Sequence, residues 1–284
     1  MLRRYLMTFF EIITAAIADI EKYGYDSQAR LDGWLHQIVE AAKATMTTQS
    51  ILENELRRAL TSTYERTIKG EKLLKVHPGI SRFKLEMVKP KLHAELQRRL
   101  LSSSQLIRLN REDMLTRTKQ RFSGWATSIP VGGSKVTDTN EVKENVSKAL
   151  KSLPFNERRV MIDQTHKFVS DLNNIVAIEG GAIGAKWCSH YRQPGYNFRP
   201  DHAIRNDKIY AIRGSWAISQ GLINKGAGYT DDMTMPGEEV YCRCQYVYIY
   251  ALRNLPDDML TQKGREALEI AKQVIKKAQG MVHA

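Results

Sequence analysis

The side chains best suited to bind a metal or act as nucleophiles lie in the last third of the chain: Cys188, His190, His202, Cys242 and Cys244. Zinc takes four such ligands in a tetrahedron, and Cys188, His202, Cys242 and Cys244 would be the best set. The spacing argues against it. Structural zinc sites use cysteine pairs with about two to four residues between them, whereas Cys242-Arg243-Cys244 has one, a tighter bite, and has no second pair to match. Three cysteines are also too few for a disulfide framework in a chain of this size, and they suit a reducing compartment. The expectation is therefore that no metal or cofactor is bound, with zinc as the alternative, and that the cysteines are small buried apolar groups.

Catalysis has weaker support. Cys188 with His190 or His202 could form a thiol–imidazole pair, but nothing marks a third orienting group or an oxyanion hole. His202 with Asp201, Asp207, Asp231 and Asp232 could serve a metal-dependent nuclease. Those carboxylates sit among Gly and Tyr in apparent loops, where Asp is a turn former. The glycines of Gly180–Gly184 lack the following Lys-Ser/Thr of a phosphate-binding loop. No catalytic residue is assigned and no enzyme is expected. Arg199 and His202, three apart, fall on one face of a helical turn, with Asp201 and Asp207 able to pair with Arg199 or Arg205. This reads as a polar network that pins the irregular segment from Tyr196 to Tyr210 onto a core.

Those residues need elements to position them. Leu31, Trp34, Leu35, Ile38, Val39 and Ala42 draw one apolar stripe, capped by Asp26 or Ser27. A capping box, Ser50 to Glu53, opens a second helix with Leu52, Leu56, Ala59 and Leu60 on its buried face. His77-Pro78-Gly79 reads as a turn. One or two helices follow from Ser81 to Phe122, with Pro90 as a first turn or boundary and Ser102–Ser104 as a break. Residues 130–140, with Pro130, Gly132 and Gly133, read as a linker. Beyond it come a short helix from Val142 to Leu150 and a longer one from about Asn156. Val240 to Tyr250 reads as a strand, rich in aromatic and β-branched residues. From Thr261 a helix carries Ala267, Ile270, Ala271, Val274, Ile275 and Ala278 on one face and Lys272, Lys276 and Lys277 opposite. The fold class is mainly α: a helical N-terminal domain (1–129), the linker (130–140), a smaller α+β module (141–258) and a C-terminal helix (259–284).

The chain is basic, with a net charge of +12 and a pI near 9.5. The excess is concentrated: Arg66 to Arg121 holds 15 Lys or Arg against 5 Asp or Glu, a net of +10. Concentration of that kind favours a binding face for double-stranded DNA, with Arg98, Arg99, Arg108, Arg111, Arg117, Lys119 and Arg121 as the candidate residues. The absence of a DNA-reading motif favours non-specific phosphate contacts. The opening residues have Arg3 and Arg4 before an apolar run. That run is cut by Glu11 and followed by Asp19 and Glu21, so it reads as an amphipathic helix and not as a cleavable signal. No run of about 18 uncharged apolar residues occurs, and no membrane span is expected.

Taken in order, Trp187, Arg199-Pro200-Asp201-His202, Pro236-Gly237 and Cys242-Arg243-Cys244 form a composite pattern. It resembles the C-terminal domain of phage head morphogenesis proteins, the Mu F-like minor head proteins, over about Leu153 to Pro256. The resemblance implies a structural part of the virion, at the capsid interior or portal vertex, made in the host cytoplasm. Its partners would be the portal protein and other phage head proteins, with multiple copies per virion, and in some members the protein leaves with the ejected DNA. Trp187, Arg199, His202, Pro236, Gly237, Cys242 and Cys244 would be the family's structural signature. The family pattern often has a further Cys or His near Cys188. Here Ser189-His190 follows, without a Cys-x-x-Cys. The competing readings are the nuclease above and an assembly module whose basic charge meets an acidic protein.

Overall fold

The computed structural model describes residues 2–69, 72–134, 137–190, 194–195, 197–282; for 2–7, 72 and 278–282 it describes the backbone alone. Tyr196, residues 135–136 of the expected linker and the side chain of Ala278 lie outside what is described. The protein is mainly α-helical with a small three-stranded antiparallel sheet toward its C-terminus. The helices are α1 (Leu2–Tyr23), α2 (Gln28–Thr45), α3 (Gln49–Ile68), α4 (Lys72–Val76), α5 (Arg82–Ala126), α6 (Thr139–Gly180), α7 (Pro200–Ile204), α8 (Trp216–Ser219) and α9 (Gln262–Val282). The strands are β1 (Gly184–Cys188), β2 (Ile209–Ala211) and β3 (Gln245–Ile249), in the order β2-β1-β3. None of the described helices is long and apolar enough to cross a membrane.

The chain forms two compact units, and neither is continuous. One comprises Met1–Arg57 with Leu101–Met161, the other Arg58–Leu100 with Ile162–Ala284. The division therefore falls elsewhere than at residues 130–140. The reason lies in two long helices that local signals would have broken. Helix α5 runs through Pro90 and through Ser102–Ser104, and α6 runs through Pro154. Both prolines are exposed, so their rings lie on the outer side of each helix and not in its buried stripe. In α5, Leu85, Val88, Leu92, Leu96, Leu100, Ser103 and Ile107 are all buried and keep one helical spacing across both expected breaks. A continuous buried stripe outweighs the cost of one missing hydrogen bond.

In the first unit, α1 buries Phe9, Ile13, Ala16, Ile17 and Ile20, a spacing that places them on one helical face. They pack with Leu31, Ile38, Ala41 and Ala42 of α2 and with Phe122, Val146 and Leu153. Ser27 caps α2, its hydroxyl accepting the Arg30 N–H, and the Trp34 indole donates to Asp19 at 2.7 Å. The expected Ser50–Glu53 capping box does not form. Helix α3 starts one residue earlier, the Thr48 carbonyl receives the first backbone bonds, and Glu53 accepts instead from the Gln49 side chain. The glycine-bearing segment after α5 is a cap on the end of α1. Gly132 N–H donates to Tyr23 O and Ser134 N–H to Glu21 O, and a Cβ on Gly133 would lie 1.9 Å from the Glu21 carbonyl oxygen.

The second unit holds the sheet, buried along one face and at one end of the other. Ala185 and Trp187 of β1, Tyr210 of β2 and Tyr246 and Tyr248 of β3 share one face with Ala177 of α6. Ile183, Ala211, Ile249, Leu222, Leu255 and Met259 form the core on the other. The turn at His77–Gly79 is present, and His77 is more than a turn residue. It is fully buried, with Nδ1 2.6 Å from the Tyr250 hydroxyl and Nε2 3.0 Å from Asn173 Oδ1, and burial lowers its pKa. The strand expected from Val240 begins only at Gln245, because Tyr241 adopts a left-handed φ of 59° that no strand accommodates. Helix α9 docks through its first turn, where Gly264 passes close to Leu222. Further along, Ile270, Val274 and Ile275 are exposed, so the expected apolar face is largely uncovered by this chain.

Candidate functional site

Strand geometry decides which cysteines meet. From Cys242 to Tyr248, buried and exposed residues alternate strictly. Cys242, Cys244, Tyr246 and Tyr248 therefore point to one face, although ladder pairing starts only at Gln245. Trp187 is paired opposite Tyr246 and points the same way, with ring centroids 5.5 Å apart. Cys188, the next residue, is paired opposite the exposed Gln245 and points to the other side. Among the described residues its thiol reaches the Lys186 carbonyl, at 4.0 Å. The set Cys188, His202, Cys242 and Cys244 is thus corrected: the sheet separates Cys188 from the other three.

Those three converge. His202, on the short helix α7, is 2% exposed, and its Nδ1 lies 3.6 Å from Cys242 Sγ and 3.6 Å from Cys244 Sγ. The Trp187 indole meets its ring in a T-shaped contact with centroids 5.2 Å apart, and the Arg205 guanidinium lies over the indole at 5.0 Å. On the far side of the ring, His202 Nε2 is 3.2 Å from Glu239 Oε1. Glu239 is held in turn by Arg199 Nε, 2.6 Å from Oε2, and by the Thr234 hydroxyl, which donates to Oε1 at 2.8 Å. The expected polar network around Arg199 and His202 exists, and Glu239 is its hub. Asp201 serves it at the edge, pairing with Arg205 at 2.6 Å.

The signature Pro236-Gly237 has a local cause. The Pro236 carbonyl accepts from the Ser170 hydroxyl, the Glu238 carbonyl from Lys167 and the Tyr241 N–H donates to Asp163, so α6 grips the loop at three points. Gly237 has a φ of 84°, and a Cβ there would lie 2.9 Å from Ser170 Cβ. Its N–H donates to Cys242 Sγ at 3.4 Å. Replacement by alanine meets both strain and contact, so Gly237→Ala should cost about 2 kcal/mol in urea unfolding. A variant as stable as the parent would show that the loop can move off α6.

Charge in the site is divided between the two thiols. The Cys242 thiol is pushed up by its hydrogen bond to Cys244 and by burial. Cys244 is pulled down to about 6, first by Cys242, then by the His190 backbone, the Ser189 hydroxyl and the Trp187 indole, against its own burial. The carboxyl of Glu239 is held below its ordinary value of 4.5, first by Thr234 and then by His202 and Arg199, against desolvation. A depressed carboxylate adds stability above its unfolded pKa and loses it as pH falls through the folded one. The stability gap between the parent and Glu239→Gln should accordingly close as unfolding is followed below about pH 4.5. A gap that persists in acid would remove Glu239 from the network.

The basic candidates do not form a single free face. In the second unit, Arg99 is buried, bonded to Gln164 and paired with Asp171, while Arg98 pairs with Glu95 and Asp171 with its side chain 56% exposed. In the first unit, Arg111 is buried against Glu157 at 2.6 Å and donates to the Thr47 carbonyl. Arg108 pairs with Glu112, Arg117 with Asp113, and Arg121 donates to the Asn145 carbonyl. Lys119 is exposed. Arg99 and Arg111 are therefore corrected from DNA ligands to interior ion pairs. Of the carboxylates weighed for a nuclease, Asp201 lies 3.8 Å from His202 Nε2 and forms with it and Glu239 a group close enough to share a cation. Asp231 and Asp232 pair with Arg213, and Asp207 lies 3.7 Å from Lys186. No known protein family, curated protein or solved structure matches this chain.

Proposed function

We propose that this chain is a structural minor head protein of a tailed bacteriophage, associated with the portal or the inner capsid. One observation carries the reading. Trp187, Arg199, His202, Pro236, Gly237, Cys242 and Cys244, which carry the resemblance to the Mu F-like proteins, are spread over 58 residues of sequence and meet in one packed constellation. An accidental pattern has no reason to assemble around one histidine. The module acts as a rigid knob, and the helical remainder supplies the docking surface for the portal ring or capsid. DNA contact is non-specific and falls to the exposed cations, Arg98, Arg108, Arg117 and Lys119, not to the full set of seven.

The test is quantitative mass spectrometry of purified particles before and after triggered DNA release. Presence before and loss after supports a head protein ejected with the genome, and presence in both supports a fixed head or portal component. Absence from finished particles overturns the virion reading. DNA binding, measured by anisotropy on duplexes of unrelated sequence, should weaken steeply with salt and show no sequence preference. Salt-insensitive binding, or none at low salt, would remove DNA from the partners.

A further inference from the structure

We propose that His202, Cys242 and Cys244 bind one zinc ion, through Nδ1 and the two Sγ atoms, with an oxygen ligand completing the tetrahedron. The argument starts from distances. With zinc–sulfur bonds of about 2.3 Å and a zinc–nitrogen bond of about 2.0 Å at tetrahedral angles, sulfur and nitrogen lie about 3.5 Å apart. Both sulfurs are 3.6 Å from Nδ1, and the three donor atoms all lie within 4.8 Å of one another. Two thiolates and an imidazole are soft donors that select zinc among the common divalent ions.

Hydrogen-bond capacity leads to the same place. Glu239 Oε1 accepts the proton of His202 Nε2, which leaves Nδ1 a single lone pair. That lone pair faces two sulfurs at equal distance and can accept from only one. A cation between them satisfies all three donors at once. A ligating histidine that gives its other N–H to an anchored carboxylate is the usual arrangement around zinc, and Arg199 and Thr234 hold Glu239 in place. The sulfurs have dipoles to match. Gly237 N–H donates to Cys242, and the Trp187 indole N–H, in the same cluster as Cys244, is buried with no hydrogen-bond partner among the described residues. An oxygen is at hand for the fourth position, from water or from Ser189, whose hydroxyl lies 3.8 Å from Cys244 Sγ. Cys188, on the opposite side of the sheet, takes no part. The ion would join α7, the loop around Gly237 and the approach to β3. The inference does not depend on the chain being a phage protein.

The test uses the full chain, stripped of metal under reducing conditions and titrated with cobalt(II), then zinc(II). The expected result is one equivalent bound, with the intense visible bands of tetrahedral cobalt and a sulfur-to-cobalt charge-transfer band. X-ray absorption on the zinc form should give two sulfur, one nitrogen and one oxygen neighbours. Cys242→Ser and Cys244→Ser should each lower affinity more than about 100-fold, Glu239→Gln about 10–100-fold, and Cys188→Ser should leave it unchanged. A native protein that takes up no metal, or whose metal has only oxygen and nitrogen neighbours, overturns the proposal without recourse to variants. So does affinity unchanged from the parent in both Cys242→Ser and Cys244→Ser.

Discussion

Arg111→Ala should lower the stability of the protein by about 3–5 kcal/mol, a loss readable in urea or thermal unfolding. The guanidinium is one of the most enclosed charges in the first unit, 10% exposed against 8% for its partner Glu157, and it also donates to the Thr47 carbonyl. Removing it leaves Glu157 charged, buried and unpaired, and this penalty exceeds the worth of the pair itself. Replacing both partners together, Arg111→Met with Glu157→Leu, should recover most of the loss, because an apolar pair of similar volume needs no compensating charge. DNA affinity of the refolded double variant should match the parent. Affinity that falls while stability holds would return Arg111 to the phosphate-binding set. Lys119→Ala is the contrast, with stability within about 0.5 kcal/mol of the parent.

Trp187→Ala should cost about 3–5 kcal/mol in the second unit. No fully buried side chain is larger than Trp187, and it contacts the His202 ring, the Tyr246 ring and the Arg205 guanidinium together. Its loss opens a cavity under the site and frees His202 to tilt away from the sulfurs. Trp187→Phe keeps much of the buried area and should cost less. Chemical denaturation with near-ultraviolet circular dichroism checks both. A Trp187→Ala protein of unchanged midpoint would mean the site is held by its polar contacts alone.

Local signals were legible where they acted locally. The stripe of α2 and its Ser27 cap, the His77–Gly79 turn and the alternation from Cys242 to Tyr248 are each properties of a few consecutive residues. Helices α5 and α6 were not legible as single elements. Prolines and serines argue locally for breaks, and only the burial of Leu85 through Ile107 on one stripe overrules them. The candidate site was half legible. The residue types were visible, but which side of the sheet each faced was set by the β1–β3 register, and that register removed Cys188. Glu239 carried no signal, since it meets His202 from 37 positions further along the chain and lies in a turn-rich stretch where acids are common. Arg99 and Arg111 looked like the other basic residues of their helix because the sequence does not tell an inward arginine from an outward one.

The discontinuity of the two units has a consequence during synthesis. Helices α1 and α2 leave the ribosome with Phe9, Ile13, Ile17 and Ile38 bared, and their partners Phe122, Val146 and Leu153 follow only as translation approaches Met161. At roughly 5–20 residues per second, the gap from Arg57 to Met161 is on the order of 5–20 s. The nascent apolar face is a target for holdase chaperones throughout that interval. The segment from Arg58 to Leu100 waits longer still, until β3 is complete at Ile249. Slower elongation lengthens that interval in proportion, whatever the stability of the finished protein.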